Sequence, residues 1–138
     1  MRILGLDVGS KTIGVALSDA LKLTAQGVTT LAWSEHDMSS ADKELQNIIE
    51  EFDVSEIVVG LPKHMNGTIG ERGELSKIYS KRLERKFHLP VHLYDERLTT
   101  VAAERALLEA DVSRNKRKKV IDKMAAVMIL QSFLNQNQ

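Results

Sequence analysis

The sequence contains no cysteine, few aromatic residues and no excess of either charge. Without cysteine, disulfide bonds and thiolate metal sites are excluded, which suits a reducing compartment. Aromatic residues make up only 4% of the chain, so stacking on nucleobases is not expected to dominate any binding. Basic and acidic residues number 19 each, and a total charge of zero argues against a generic nucleic-acid coat.

Long apolar runs are missing as well. No run approaches the roughly 18 residues that a membrane span requires. The N-terminal stretch also lacks the apolar segment and the small-residue cleavage site of a secretory signal. We therefore expect a cytoplasmic protein without membrane association. The 138 residues, 43% of them hydrophobic, predict a single domain over residues 1–138 with a real core.

The charged residues are unevenly distributed despite the neutral total. Five of the six residues at 114–119 are basic, and a second basic group lies at 77–86. The stretch 35–56 is mostly acidic. A neutral chain with this distribution can present a basic face to a polyanion.

Hydrophobic periodicity predicts an α/β fold. Alternating or short apolar runs predict five strands, at residues 2–9, 13–17, 24–33, 56–61 and 91–94. Helical spacing predicts helices near 45–52, 71–88, 99–110 and 117–134, with loops at 62–70 and 111–116. The order β-β-β-α-β-α-β-α-α predicts an antiparallel meander followed by βα units whose strands run parallel to the first strand.

Local patterns give finer expectations for the helices and turns. The pairs Ser39–Asp42 and Thr68–Glu71 have the spacing of capping boxes. The second helix is predicted to turn one apolar face inward, made of Leu75, Ile78, Tyr79, Leu83 and Phe87. Three glycines are interpreted as turn residues, namely Gly60, Gly67 and Gly70.

Three acidic residues occupy positions that favour chemistry. Asp7 lies within an apolar strand, where a carboxylate is costly unless it is paired or bound to a metal. Glu96 follows the strand at 91–94, and open α/β sheets place their sites at the carboxyl ends of such strands. Asp122 shares a helical stripe with Ala125, Ala126 and Ile129, so it is predicted to point inward.

Each acid also has a purely structural interpretation. Asp7 can be a satisfied structural residue near a strand end, Glu96 a solvated acid before a helix, and Asp122 a favourable charge in the first turns of a helix. Three acids on one face would instead repel each other, and a divalent cation would resolve the conflict. Oxygen ligands without cysteine or a histidine pair favour Mg²⁺ or Mn²⁺. Two such ions about 4 Å apart could support phosphodiester hydrolysis.

Four segments together resemble the YqgF family, also called RuvX-like. They are residues 5–16, GLDVGSKTIGVA; 60–67, GLPKHMNG; 95–100, DERLTT; and 122–131, DKMAAVMILQ. The motifs follow one another in order over nearly the whole chain, although Asp-x-Gly alone is weak. Members of this family are described as candidate pre-16S rRNA nucleases and as candidate Holliday-junction resolvases.

The resemblance implies an RNase H-like fold, here a five-stranded mixed sheet flanked by helices. It also implies that Asp7, Glu96 and Asp122 are the catalytic and metal-binding acids, acting through in-line attack of water without a covalent intermediate. The implied substrate is structured RNA, the 5′ end of pre-16S rRNA in ribosome biogenesis. Thr12 departs from the family, in which an arginine is common at this position, so a phosphate contact there is in doubt.

Several basic or polar residues near this centre are candidates for binding nucleic acid. They are Lys11, Thr12, Lys63, Arg72, Arg97, Arg117 and Lys118. Each has an ordinary alternative, since turn residues and charge runs are commonly solvated, and Arg97 can pair with Asp95 instead. With so few aromatics, recognition through the backbone or shape of the nucleic acid is favoured.

Three further functions stay open. A Holliday-junction resolvase acting on branched DNA would need two active sites and hence a dimer, whereas an RNA nuclease could be a monomer or a weak homodimer. Asp-x-Gly beside a hairpin also occurs in actin-like and sugar-kinase ATPases, although this chain has no second such loop. Finally, the chain could be a non-catalytic rRNA-binding module.

Overall fold

The computed structural model describes residues 1–99 and 114–137, and for residues 114–122 it describes the backbone alone. Two 3₁₀ turns, Met38–Ala41 and Glu96–Leu98, accompany the main elements. In chain order these are β1 Arg2–Val8, β2 Thr12–Ser18, β3 Ala25–Ala32, α1 Asp42–Glu51, β4 Val54–Leu61, α2 Glu71–Phe87, β5 Val91–Asp95 and α3 Arg114–Gln136.

The strands form one mixed sheet in the order β3-β2-β1-β4-β5. β1 and β3 both run antiparallel to β2, which confirms the predicted meander. β4 pairs with β1 and with β5 in parallel, so that Leu6 lies opposite Val59 and Gly60 opposite Tyr94. The carboxyl ends of β1, β4 and β5 therefore meet at one edge of the sheet, which we call the acid edge because Asp7 and Glu96 lie there.

One face of the sheet is covered by α1 and α2 and packed with large side chains. β1 contributes Leu4, Leu6 and Val8, which are all nearly inaccessible to solvent. Tyr79 and Leu83 of α2 are fully buried against them. Burial of side chains of this size typically stabilises a fold by about 1.5–3 kcal/mol each, so this face forms the larger part of the core.

Among the described elements, α3 covers the other face, which has glycine or alanine at several contact points. Gly5 of β1 faces the helix, where an added Cβ would lie 2.7 Å from the Cβ of Leu130 and 3.3 Å from the carbonyl oxygen of Ala126. Ala16 of β2 and Ala125 of α3 are also buried on this face. The helix axis therefore approaches the strands closely, as the small residues of α3 predict.

Both predicted capping boxes are wrong. Asp37, not Ser39, caps the 3₁₀ turn before α1, since its carboxylate accepts a hydrogen bond from the Ser39 backbone N–H at 3.2 Å. Asp42 instead forms two 2.7 Å hydrogen bonds with Arg82 of α2. α2 begins after Gly70 without a side-chain cap. The Asp42 carboxylate binds a charged partner and Glu71 is exposed to solvent, and residue spacing alone does not reveal either outcome.

The inward face of α2 agrees with its prediction except at Ile78. Tyr79 and Leu83 are buried, and Leu75 and Phe87 are partly buried against the same core. Ile78 is 54% exposed, whereas Gly73, Ser76 and Ser80 are buried. The Ser80 hydroxyl donates to the Ser76 carbonyl at 2.7 Å, which allows a polar residue to face the core. Small and polar residues therefore share this face with the predicted apolar ones, and Ile78 is the one predicted member that lies outside it.

The last third of the chain was predicted less accurately than the sheet. The basic loop predicted at 111–116 is wrong for residues 114–116, which already belong to α3. Most of the helix predicted at 99–110 lies outside the described residues, and Thr99 ends the 3₁₀ turn Glu96–Leu98. Within the described helices, none is both long enough and apolar enough to cross a membrane.

Candidate active site

Asp7 lies at the carboxyl end of β1 and is only 3% exposed. Its neighbours Leu6 and Val8 face α1 and α2, so alternation along the strand turns Asp7 toward α3. Its Oδ1 lies 3.4 Å from Nη2 of Arg72, which reaches over the acid edge from the first turn of α2. A buried carboxylate is costly to keep charged without such partners, so its place at a strand end favours a chemical role.

Glu96 begins the 3₁₀ turn directly after β5 and lies beside Gly60 of β4. A Cβ added at Gly60 would be 3.0 Å from Oε1 of Glu96 and 2.5 Å from Cδ1 of Ile129 in α3. Gly60 follows Val59, which pairs with Leu6, the residue before Asp7. The two acids therefore lie on the same face of the acid edge, on either side of a strand position without a side chain.

Gly60 was interpreted from the sequence as a turn residue, and this is wrong, because it lies within β4. The sequence did carry a signal of its role, since a glycine inside a strand often marks a close approach by another group. Here the approaching groups are the Glu96 carboxylate and a side chain of α3. By contrast, Gly67 has φ +89° and does serve a turn, as predicted.

Asp122 lies on α3, one helical turn before Ala126. Leu134 of this helix lines the same cavity as Ile3 at the start of β1, and Leu130 packs on Gly5 further along that strand. Following α3 backward therefore leads toward the acid edge, and the backbone at position 122 continues this path. The side chain of Asp122 is outside the described set, so its membership of the trio stays a prediction.

A group of charged side chains surrounds Asp95, the residue before Glu96. Its carboxylate accepts hydrogen bonds from Arg97 Nη2 at 2.8 Å and from the Arg97 backbone N–H at 2.9 Å. Lys63 Nζ lies 3.6 Å from the same carboxylate. The bound Arg97 guanidinium holds the pKa of Asp95 below its ordinary value. Arg97 thus pairs with Asp95, which is the alternative that the sequence left open. Asp95 itself was not predicted as a site residue.

The hairpin of β1 and β2 carries Lys11 in its turn and Thr12 at the start of β2. Lys11 is exposed and Thr12 is partly buried. The turn is held from behind by Trp33, whose indole Nε1 donates to the Gly9 carbonyl at 2.8 Å and whose backbone N–H donates to the Lys11 carbonyl at 3.0 Å. The Lys11 side chain is thereby presented at the end of the hairpin that contains Asp7.

The remaining predicted nucleic-acid contacts are divided between the acid edge and α3. Lys63, Arg72 and Arg97 are brought to the acid edge, each within 3.6 Å of a carboxylate there. Arg117 and Lys118 belong to the first turns of α3, where the backbone alone is described. Three of the predicted basic residues thus surround the two described acids.

The donor set at the acid edge consists of carboxylate oxygens. Asp7 and Glu96 supply no nitrogen or sulfur ligand, which fits a hard cation such as Mg²⁺ or Mn²⁺. Among the side chains described, no group of three metal-ligating residues is found, and a complete trio needs Asp122.

Comparisons with known proteins agree with this architecture. A family model described as "RuvX: Holliday junction resolvase" matches residues 1–136. A relative from Oceanobacillus iheyensis, named as a candidate pre-16S rRNA nuclease, is 68% identical over 136 residues, 99% of each chain. A relative from Bacillus subtilis with the same name is 56% identical over 135 residues, 98% of each chain.

Among solved structures, Thermus thermophilus RuvC in complex with a Holliday junction substrate superposes with a TM-score of 0.62 at 11% identity. The match covers 99% of this chain and 95% of that one. At this identity the likeness shows the fold alone, and it confirms the RNase H-like sheet. The family match over nearly the full length, with the 68% identity of a curated relative, shows that the chain belongs to the RuvX family of nucleases.

Proposed function

We propose that the chain is a single-domain phosphodiester hydrolase that requires Mg²⁺ or Mn²⁺ and processes the 5′ end of precursor 16S rRNA in the cytoplasm. One observation carries the proposal. The buried Asp7 and the partly buried Glu96 lie on the same face of the acid edge, on either side of Gly60. The name of the 68% identical relative supports the choice of substrate.

Asp7, Glu96 and Asp122 would hold two divalent cations. A bound pair supplies activation of the attacking water and stabilisation of the leaving oxygen. The chain's own contribution is to fix the donors in advance. Asp7 is rigidly placed on a central strand, and Glu96 is confined between Gly60 and the end of β5. Such preorganisation avoids reorganisation during the reaction.

The basic residues would bind and orient the RNA backbone. Arg72 lies beside Asp7, so its planar guanidinium can bind a phosphate oxygen next to the reacting group. Further candidates are Lys11, Thr12, Lys63, Arg97, Arg117 and Lys118. Contacts to phosphates position a substrate without reading its bases, which is consistent with recognition of RNA shape.

The test replaces each acid by its amide. In Asp7→Asn, Glu96→Gln and Asp122→Asn, we expect Mg²⁺- or Mn²⁺-dependent cleavage of a precursor rRNA fragment to fall by roughly 10³-fold or more, with the fold retained. Circular dichroism would check the fold, and calorimetric titration with Mn²⁺ would check cation binding. Asp53→Asn is the matched control, since Asp53 is an exposed aspartate at the opposite end of β1. Full activity in one amide variant would remove that acid from the mechanism.

A second candidate activity is cleavage of branched DNA, and the description of the matching family favours it. Resolution of a four-way junction needs two coordinated cuts and hence two sites, so this function requires a homodimer. A single-site RNA nuclease can act as a monomer or a weak homodimer. Cleavage of four-way DNA and of precursor rRNA under identical conditions, with sedimentation to determine the oligomeric state, decides between them.

A further inference from the structure

Asp95 occupies an unusual place, because it directly precedes Glu96 yet faces two basic side chains. We propose that Asp95 is a positioning residue that clamps the loop at 62–70 beside Glu96 and thereby shapes the wall of the substrate site. The inference rests on the proposed function and adds to it a residue that touches neither the RNA nor the cation.

Asp95 caps the turn that carries Glu96. Asp95 Oδ1 accepts the Arg97 backbone N–H at 2.9 Å and so caps the 3₁₀ turn Glu96–Leu98. Its side chain is only 18% exposed, which limits its freedom to turn away. The direction in which the chain leaves β5, and with it the start of the Glu96 side chain, therefore depends on this carboxylate.

Asp95 also sets the direction of the Arg97 side chain. Its Nε lies 3.1 Å and its Nη2 2.8 Å from Oδ2 of Asp95, a fork arrangement that fixes the plane of the guanidinium. The remaining nitrogen, Nη1, donates to the carbonyl of Met65 at 3.4 Å. The same nitrogen would lie 3.4 Å from a Cβ at Gly67, so it packs against the loop backbone. Arg97 thus links Asp95 to the tip of the loop.

The loop itself is closed by its own hydrogen bonds. The backbone N–H of His64 donates to the Thr68 carbonyl at 2.8 Å, and that of Gly67 to the His64 carbonyl at 2.8 Å. Asn66 accepts the Thr68 backbone N–H at 3.0 Å. Because the tip is a compact turn, a contact at Met65 and Gly67 can place it as one body. Lys63 adds a second attachment to Asp95 at the start of the loop.

The loop is also connected to the other acid. The loop leads directly into α2, where Gly73 packs so closely that an added Cβ would lie 2.7 Å from the Pro62 carbonyl. One residue earlier, Arg72 reaches Asp7. The segment from Lys63 to Arg72 therefore spans the acid edge from Asp95 to Asp7, and Asp95 secures its end nearest to Glu96.

Charge distinguishes this role from that of a phosphate ligand. Asp95 provides one negative charge against the two positive charges of Lys63 and Arg97, so the cluster stays attractive to RNA. Replacing Asp95 by asparagine would remove the charge that holds both cations and would weaken both attachments, rather than remove one cation. We therefore expect RNA affinity to be kept or to rise in Asp95→Asn, while turnover falls because the loop beside Glu96 is less well placed. Displacements of about 1 Å can cost about 10²-fold in rate.

The experiment measures kcat and RNA affinity separately, together with hydrogen exchange at the loop amides of His64, Gly67 and Thr68. In Asp95→Asn, we expect kcat to fall about 10²-fold, RNA affinity not to weaken, and the three amides to exchange faster. Arg97→Lys keeps the charge but cannot form the fork, so it should loosen the same amides even if Asp95→Asn fails to fold. Asp53→Asn, an exposed aspartate at the other end of the sheet, is the control and should behave as wild type.

A double-mutant cycle shows whether the two residues act through one clamp. In Asp95→Asn/Arg97→Lys, we expect a kcat close to that of Asp95→Asn alone, since the fork is already lost. Additive losses, wild-type kcat in Asp95→Asn or unchanged exchange of the loop amides would overturn the proposal. Because exchange needs no substrate, a failure of the clamp is distinguishable from a failure of the RNA nuclease function, which would be seen as an inactive wild-type protein.

Discussion

The two faces of the sheet differ in the size of the side chains that contact the helices. The face covered by α1 and α2 is filled by large side chains, such as Leu4, Tyr79 and Leu83. The face covered by α3 has glycine or alanine at several contact points, including Gly5 and Gly60, and turns its acids to the site. The first face buries apolar side chains and thereby stabilises the fold. The second face lets α3 approach the strands so closely that an added Cβ would clash.

Small residues on the α3 face are therefore under a tighter constraint than large residues on the other face. A buried leucine can be shortened at the cost of a cavity, which weakens the fold without moving the acid edge. A methyl group added at Gly60 would meet the Glu96 carboxylate and a side chain of α3 at once. We therefore expect substitutions on the α1–α2 face to change stability alone and those on the α3 face to change stability and activity together.

The largest expected loss of stability comes from a buried leucine on each face. Leu83→Ala and Leu130→Ala each remove a fully buried side chain and should lower the free energy of unfolding by about 2–5 kcal/mol. Urea denaturation measures this change. Cleavage per folded molecule should be unaffected in Leu83→Ala but reduced in Leu130→Ala, because α3 carries Asp122. Equal activities in the two variants would contradict the division between the faces.

An intermediate effect is expected from Gly60→Ala. The new Cβ would lie 2.5 Å from Cδ1 of Ile129 and 3.0 Å from Oε1 of Glu96, so both groups must shift. We expect a loss of about 1–2 kcal/mol in the free energy of unfolding and a fall in kcat of at least about tenfold. Thermal denaturation and single-turnover cleavage measure the two effects.

The two contacts of Gly60 can be separated by a second substitution. Ile129→Val removes the Cδ1 atom and leaves the Glu96 contact in place. In Gly60→Ala/Ile129→Val, stability should recover most of its loss, whereas kcat should stay low. Recovery of both would mean that the glycine serves helix packing only.

The smallest effect is expected from Ile78→Ser on the outer side of α2. Ile78 is 54% exposed and lies outside the core, so the free energy of unfolding should change by no more than about 0.5 kcal/mol. Denaturation under the conditions used for Leu83→Ala gives the comparison. A loss above about 2 kcal/mol would show that Ile78 belongs to the apolar face, as the sequence predicted.

The sequence predicts the sheet well because each strand carries a local signal. Alternation or a short apolar run located all five strands within two residues at each end, and the parallel pairs followed from the βα order. The small and polar residues on the inward face of α2 could not be predicted in the same way. Gly73, Ser76 and Ser80 become core residues only when a loop and a hydrogen bond within the helix accommodate them.

The acids of the candidate site could be proposed from the sequence, whereas the side chains that support them could not. Asp7 and Glu96 were singled out by their positions relative to apolar strands, and the family resemblance implied their catalytic role, which stays a prediction. The clamp at Asp95 depends on Lys63 and Arg97 converging from two different loops, and only the folded arrangement brings them together. Gly60 was misread because its neighbours Glu96 and Ile129 are 36 and 69 residues away in sequence.

Trp33 gives this protein an optical property that can be used without labelling. It is the single tryptophan of the chain, and its indole is bonded to the Gly9 carbonyl, two residues beyond Asp7, while its ring packs on Tyr79 with centroids 4.6 Å apart. Its emission originates at the base of the hairpin that carries Lys11. Any ligand that rearranges this hairpin should therefore alter the intrinsic fluorescence of the unmodified protein.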